Sequence, residues 1–111
     1  MTAAPPHAAF IRAQLRMKPT SAGGRSRPIS SGYRCNCWLG GLTEAGERAY
    51  NDAVVYLESV ETLEPGSSAF VRLQPAFPDF WTDLTVGLVI DVCEGSRVVG
   101  EATVIELFPS P

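Results

Sequence analysis

The chain has 111 residues, 45% of them hydrophobic and 19% charged; that is room for one domain with one core, and too apolar a mixture for a disordered chain. Its longest apolar runs, such as Leu84 to Ile90, are broken by Thr85 and Gly87 and fall far short of the ~20 residues a membrane-spanning helix needs. The net charge of -3 hides a segregation: residues 1–43 hold six basic side chains (Arg12, Arg16, Lys18, Arg25, Arg27, Arg34) and no acidic one, a positive segment suited to an acidic partner.

Met1 to Phe10 has neither a basic leader region nor a continuous apolar stretch, so residues 1–9 read as a flexible tail rather than a secretory signal, and the expected location is the cytoplasm. From Phe10 to Lys18, Ile11, Ala13, Leu15 and Met17 alternate with Arg12, Gln14, Arg16 and Lys18, the period-two pattern of a half-buried strand. Pro19 to Ser31 is a loop by its glycines, prolines and serines, and its arginines make it a candidate contact loop. Tyr33 to Leu39 is a strand with Cys35, Cys37 and Leu39 on one side and Asn36 and Trp38 on the other. Gly40 to Asn51 reads as an ornamented loop, its polar stretch too short for an independent helix. Strands are expected at Asp52–Ser59, Ser67–Gln74, Leu84–Cys93 and Val98–Phe108, with residues 109–111 as a tail. Pro65-Gly66 predicts a type II turn and Glu94-Gly95-Ser96 a hairpin. Six strands without a convincing helix predict an all-β barrel or sandwich over residues 10–108.

In their order these segments resemble the C-terminal β-barrel domain of elongation factor Tu and related translational GTPases. That family follows its first strand with a glycine-basic loop and a Pro-x-x-x-Gly-Tyr-Arg segment; Gly23-Gly24-Arg25, Pro28 and Gly32-Tyr33-Arg34 stand here. Pro65-Gly66 matches its Pro-Gly turn. Gly87-Leu88-Val89-Ile90-Asp91-Val92-Cys93-Glu94-Gly95-Ser96-Arg97-Val98-Val99-Gly100 matches its Gly-Leu to Thr-Val-Gly segment. The resemblance implies a six-stranded antiparallel closed barrel and a role in translation. It also implies an RNA-contact turn at Glu94 and Gly95, since the family's barrel touches the tRNA T-stem there and packs against a GTPase domain. Cys93 stands where the family has Arg, and Ser96 where it has a second Gly.

Enzyme chemistry is not expected. No Gly-x-x-x-x-Gly-Lys-Ser/Thr phosphate loop occurs. A catalytic thiol needs a base, and the lone His7 lies in the tail. Cys35, Cys37 and Cys93 read as small core residues rather than a zinc site, for which four ligands are usual; no cofactor is expected, and a thiol or metal protein is the weakest alternative. Two binding readings remain. In one, a protein partner, such as a translation factor, a GTPase domain or a factor that recognises one, docks on Phe77, Phe80 and Trp81 of the bulky loop Pro75 to Trp81. In the other, Arg25, Arg27 and Arg34 converge on one barrel edge and pair with phosphates of tRNA or other RNA. Trp38 and Tyr33 could join the loop aromatics as a stacking platform, but the aromatics do not recur on one strand face, which favours packing.

Overall fold

The computed structural model describes residues 10–108; the two tails, and His7 with them, lie outside that range. The alternation at the start of the chain becomes β1 (Phe10–Met17), whose Ile11, Ala13, Leu15 and Met17 are all buried while Gln14 and Arg16 are exposed. It is followed by a 3₁₀ turn (Thr20–Ala22) and β2 (Ile29–Ser30), then β3 (Tyr33–Leu42), β4 (Arg48–Leu57), β5 (Thr62–Leu63), β6 (Ser68–Pro75), a second 3₁₀ turn (Pro78–Phe80), β7 (Val89–Glu94) and β8 (Arg97–Phe108).

Six of these strands close into an antiparallel barrel in the order β1-β6-β4-β3-β7-β8, and β2 pairs with β5 as a two-stranded ribbon. Closure is made by β1, where Ile11 faces Leu73 of β6 on one side and Leu107 of β8 on the other. Every barrel strand then has two neighbours, so no long edge is left open to another chain. The core is filled by Leu15, Val55, Val71, Leu73, Ile90, Val92, Val99 and Val104, with Cys35 and Cys37 among them. The inward placement of both β3 thiols agrees with the period-two reading.

Turn chemistry sets the register. Glu64-Pro65-Gly66-Ser67 closes with a Ser67 N–H to Glu64 carbonyl bond of 3.1 Å and Gly66 at φ +83°, the expected type II turn. Between β7 and β8, Glu94 faces Arg97, which leaves Gly95-Ser96 as a two-residue loop. Gly95 takes φ +61° while Ser96 stays at negative φ, the type II′ pattern that matches strand twist and favours Gly at its first position.

Three expectations need correction. The segment 40–51 is not a loop but the far half of a long hairpin: β3 runs on to Leu42 and β4 starts at Arg48. Two glycines and polar residues hide this in the sequence. Pairing is irregular between Trp38 and Leu42, yet the Arg48 guanidinium lies 3.8 Å over the Trp38 ring and the Trp38 indole donates to the Gly41 carbonyl at 2.7 Å, holding the strands together past the glycines. Secondly, the seventh strand begins at Val89, not Leu84. Gly87 at φ +94° and a Leu88 N–H to Thr85 carbonyl bond of 3.1 Å make residues 85–88 a turn, a geometry that the β-branched run conceals. Thirdly, the 19–31 loop contains structure, with the 3₁₀ turn at its start and β2 at its end. Gly24 explains its tight path, since a Cβ there would lie 2.2 Å from the Lys18 carbonyl oxygen.

Candidate binding surfaces

The first candidate surface is built around the Glu94-Gly95 turn. β3 and the 19–31 loop bring Tyr33 and Arg25 beside it. Glu94 accepts an ion-pair hydrogen bond from Arg25 Nη1 and, on the same Oε2, a 2.6 Å hydrogen bond from the Tyr33 hydroxyl; Arg97 Nη2 reaches Oε1 at 3.1 Å. Arg25 also stacks 4.9 Å over the Tyr33 ring, and Asn36 Nδ2 donates to the Gly95 carbonyl at 3.1 Å. Burial pushes the Tyr33 phenol up to about 12, with Arg25 opposing, so the hydroxyl remains a donor to Glu94 throughout the physiological range. Arg25, Ser26, Arg27, Glu94 and Arg97 line a shallow cleft of about 120 Å³.

Arg25 and Arg27 line this cleft together, and Arg34 is not among its lining residues. Arg25 spends its charge on Glu94, Arg27 is exposed and makes no ion pair among the described residues, and exposed Arg34 lines the adjoining cleft with Asn36, which bonds the Gly95 carbonyl. Arg97 joins the group instead. The type II′ loop that places it across from Glu94 was readable in the sequence as a hairpin, but the pairing of Arg25 with a residue 69 positions away was not.

The second surface is the flap between β6 and β7. Pro78, with its fixed φ, opens the 3₁₀ turn Pro78–Phe80, closed by Phe80 N–H to Phe77 carbonyl at 3.1 Å and Trp81 N–H to Pro78 carbonyl at 2.9 Å. Three residues per turn bring positions three apart onto one side. Phe77 and Phe80 therefore meet edge to face, with ring centroids 6.3 Å apart, and stay 62% and 66% exposed. Trp81 turns the other way and is only 7% exposed, packed into the core with no acceptor for its indole N–H among the described residues. The expected partner contact at Trp81 is thus corrected: its side chain anchors the flap and is not available to a partner. Phe77 overhangs an open cleft of about 360 Å³ that Arg34, Asn36, Asp52 and Val54 also line.

The three thiols are packed as core side chains. Cys35 and Cys37 approach to 3.7 Å between sulfurs and all three cysteines are unpaired and buried. Hydrogen bonding to Cys35, together with burial, raises the Cys37 thiol far above its ordinary range; burial and the nearby Asp91 raise Cys93, against the pull of Arg48. A raised thiol is the opposite of an activated one. No group of three His, Cys, Asp or Glu side chains that could hold a metal ion occurs among the described residues.

Absent from the sequence reading is a third feature, on the outer wall of β4, β6, β1 and β8. Phe10 and Phe108 stack at 4.5 Å, Arg72 lies over Phe10 and Tyr56, and Arg12 lies over Phe70 while bonding Glu58 at 2.9–3.1 Å and Glu106 at 3.3 Å. The pairs Arg12↔Arg72, Tyr56↔Arg72 and Arg12↔Glu106 come from strand register. Only the period-two outward positions could have signalled it, and without the register their partners are unknown. These arginines cover the rings, and Arg12 is also paired with Glu58 and Glu106.

No family model matches the chain, and no curated protein matches it. No helix among the described residues is long and apolar enough to cross a membrane.

Proposed function

We propose that this chain is a non-catalytic, cytoplasmic binding module that captures a protein partner through the 76–83 flap. The observation that carries this reading is the pair Phe77 and Phe80, held edge to face on a 3₁₀ turn, anchored by buried Trp81 and yet more than half exposed. Two large rings presented together on a pinned loop cost hydration in the free protein, and aromatic side chains with a clear pocket beside them commonly carry interface energy. The ordered motifs quoted above support a link to translation, as a stand-alone counterpart of the elongation-factor barrel that docks on a GTPase domain or on a factor recognising one.

The competing RNA reading loses ground on charge. Phosphate affinity depends on the number of unneutralised cations that reach the backbone, and Arg25 is already paired while Cys93 supplies no charge where the family has Arg. The test is capture from a lysate of the source cells, with and without RNase, by the wild type, by Phe77→Ala/Phe80→Ala and by Arg25→Ala/Arg27→Ala. Capture should resist RNase and be lost in the double-Phe variant. Capture that RNase or the arginine pair abolishes while the double-Phe variant retains it would put the RNA reading in its place.

A further inference from the structure

The flap faces acid. Phe80 overhangs a second open cleft of about 330 Å³, walled by Leu39, Gly41, Ala49 and Asn51 of the β3–β4 hairpin and by Thr82 and Asp83 of the flap. The strands that form this wall continue into the hairpin tip, where Thr43 and Glu47 close the turn and Glu44 and Glu47 are exposed. The register Trp38↔Asp91 carries exposed Val89 toward the same end as exposed Leu42. Acid therefore flanks this cleft: Asp83 lines it, Asp79 stands beside Phe80 on the flap, and Glu44 and Glu47 sit at the tip of the hairpin whose strands form the other wall.

Among the described residues no cation answers them. Residues 76–91 contain three aspartates and no Lys or Arg, and residues 39–47 contain two glutamates and again no Lys or Arg. Arg48, the first basic residue after the tip, is committed to Asp91 at 3.0 Å and to the Trp38 ring. Among the described residues Asp79, Asp83, Glu44 and Glu47 are all exposed and make no ion pair. The opposite polarity holds at the Glu94 edge, where three arginines surround one glutamate.

We infer that the cleft between the flap and the β3–β4 hairpin takes a basic segment of a partner protein, with an apolar side chain seated against Phe80 and Leu39 and flanking Lys or Arg residues directed at Asp79, Asp83 and the hairpin tip. This rests on the flap being the partner surface and adds the partner's chemistry. Apolar seating supplies the affinity, and the acidic rim selects against acidic and neutral segments and speeds encounter.

Three synthetic peptides of about a dozen residues serve as probes, alternating Lys with Leu, Glu with Leu, and Lys with Ser, titrated against the full chain by fluorescence anisotropy. The Lys–Leu peptide should bind saturably and the other two at least about tenfold more weakly. Asp79→Asn/Asp83→Asn should weaken it about five- to tenfold, as should Phe80→Ala, whereas Glu61→Gln/Glu64→Gln, which removes the same charge elsewhere, should change it less than about twofold. Asn tolerates the left-handed backbone of Asp83 at φ +58°, so the acid pair leaves the flap intact. Equal weakening by the two charge-neutralising pairs, or binding of the Glu–Leu peptide as tight as that of Lys–Leu, overturns the proposal. If Phe80→Ala alone weakens the Lys–Leu peptide, the flap remains the partner surface and the basic-segment assignment fails; if no variant affects it, both fail.

Discussion

The two loop surfaces at the ends of β7 solve the same problem in opposite ways. At its C-terminal end, the Glu94 turn is internally complete: Arg25, Tyr33, Arg97 and Asn36 satisfy the carboxylate and the turn carbonyl. Before its N-terminal end, the flap is internally incomplete, with two exposed phenyl rings and carboxylates that no cation among the described residues meets. A charged turn that is fully paired behaves as structure, while an apolar loop fixed by one buried anchor and left open behaves as an interface. Residue type already leans toward the Phe-Pro-Asp-Phe loop, through the acidic overall charge and Cys93 in place of a basic residue, but it does not reveal that Glu94 consumes Arg25 or that Trp81 is the buried anchor.

The comparison breaks most sharply at the anchor. Trp81→Ala should cost about 3–5 kcal/mol by leaving a cavity under the flap, whereas Phe77→Ala and Phe80→Ala, made on exposed rings, should each stay within about 0.5 kcal/mol. Urea unfolding of the three variants checks both values, and equal losses would mean that the rings pack against the barrel rather than face solvent. Trp81→Phe should lose much less than Trp81→Ala, since it keeps most of the ring and removes an indole N–H that has no acceptor.

At the other surface, Glu94→Ala should cost about 1–2 kcal/mol, because Arg25 and the half-buried Tyr33 hydroxyl lose their shared acceptor. Arg27→Ala should be close to neutral. If Arg27 proved the costlier of the two in the same unfolding assay, the turn would not be the closed unit described here.

A smaller effect separates the ends by pH. The Cys37, Cys93 and Tyr33 protons are held more tightly in the folded chain than in the unfolded one. Their contribution is complete below the ordinary thiol value of 9.0 and declines as pH rises above it, as the unfolded chain releases protons that the folded chain keeps. The urea midpoint should therefore fall between neutral pH and about pH 10, and Cys37→Ala should flatten that fall. On the acid side, Arg12 bonding lowers Glu58; its stabilisation is present above the ordinary 4.5 and is lost as pH falls through the lowered value. Arg12→Ala should abolish this slight acid limb, which solvent at the exposed pair keeps small.

Much of the barrel was legible because strand periodicity and turn chemistry are local. Ile11 to Met17 alternate without exception, and Pro65-Gly66 and Gly95 each demand one backbone geometry. The hairpin beyond Trp38 was illegible because Gly40 and Gly41 lack side-chain patterning, and what holds the strands there, Arg48 on Trp38, is a contact across the strands. Phe77 and Phe80 were recognisable as unusual, but the side on which Trp81 falls depends on the 3₁₀ turn that Pro78 starts. The outer arginine-aromatic wall and the Arg25–Glu94 pair both require long-range register, which no window of sequence contains.

The account's central claim is that the flap, not the arginine loop, meets the partner. A photo-crosslinking phenylalanine analogue placed at Phe80, and separately at Arg27, in the full chain tests this by irradiation in a lysate of the source cells. The account predicts a discrete protein adduct from position 80 that resists RNase and competes with the Lys–Leu peptide, and none from position 27. An RNA adduct from position 27 with no protein adduct from position 80 would contradict it.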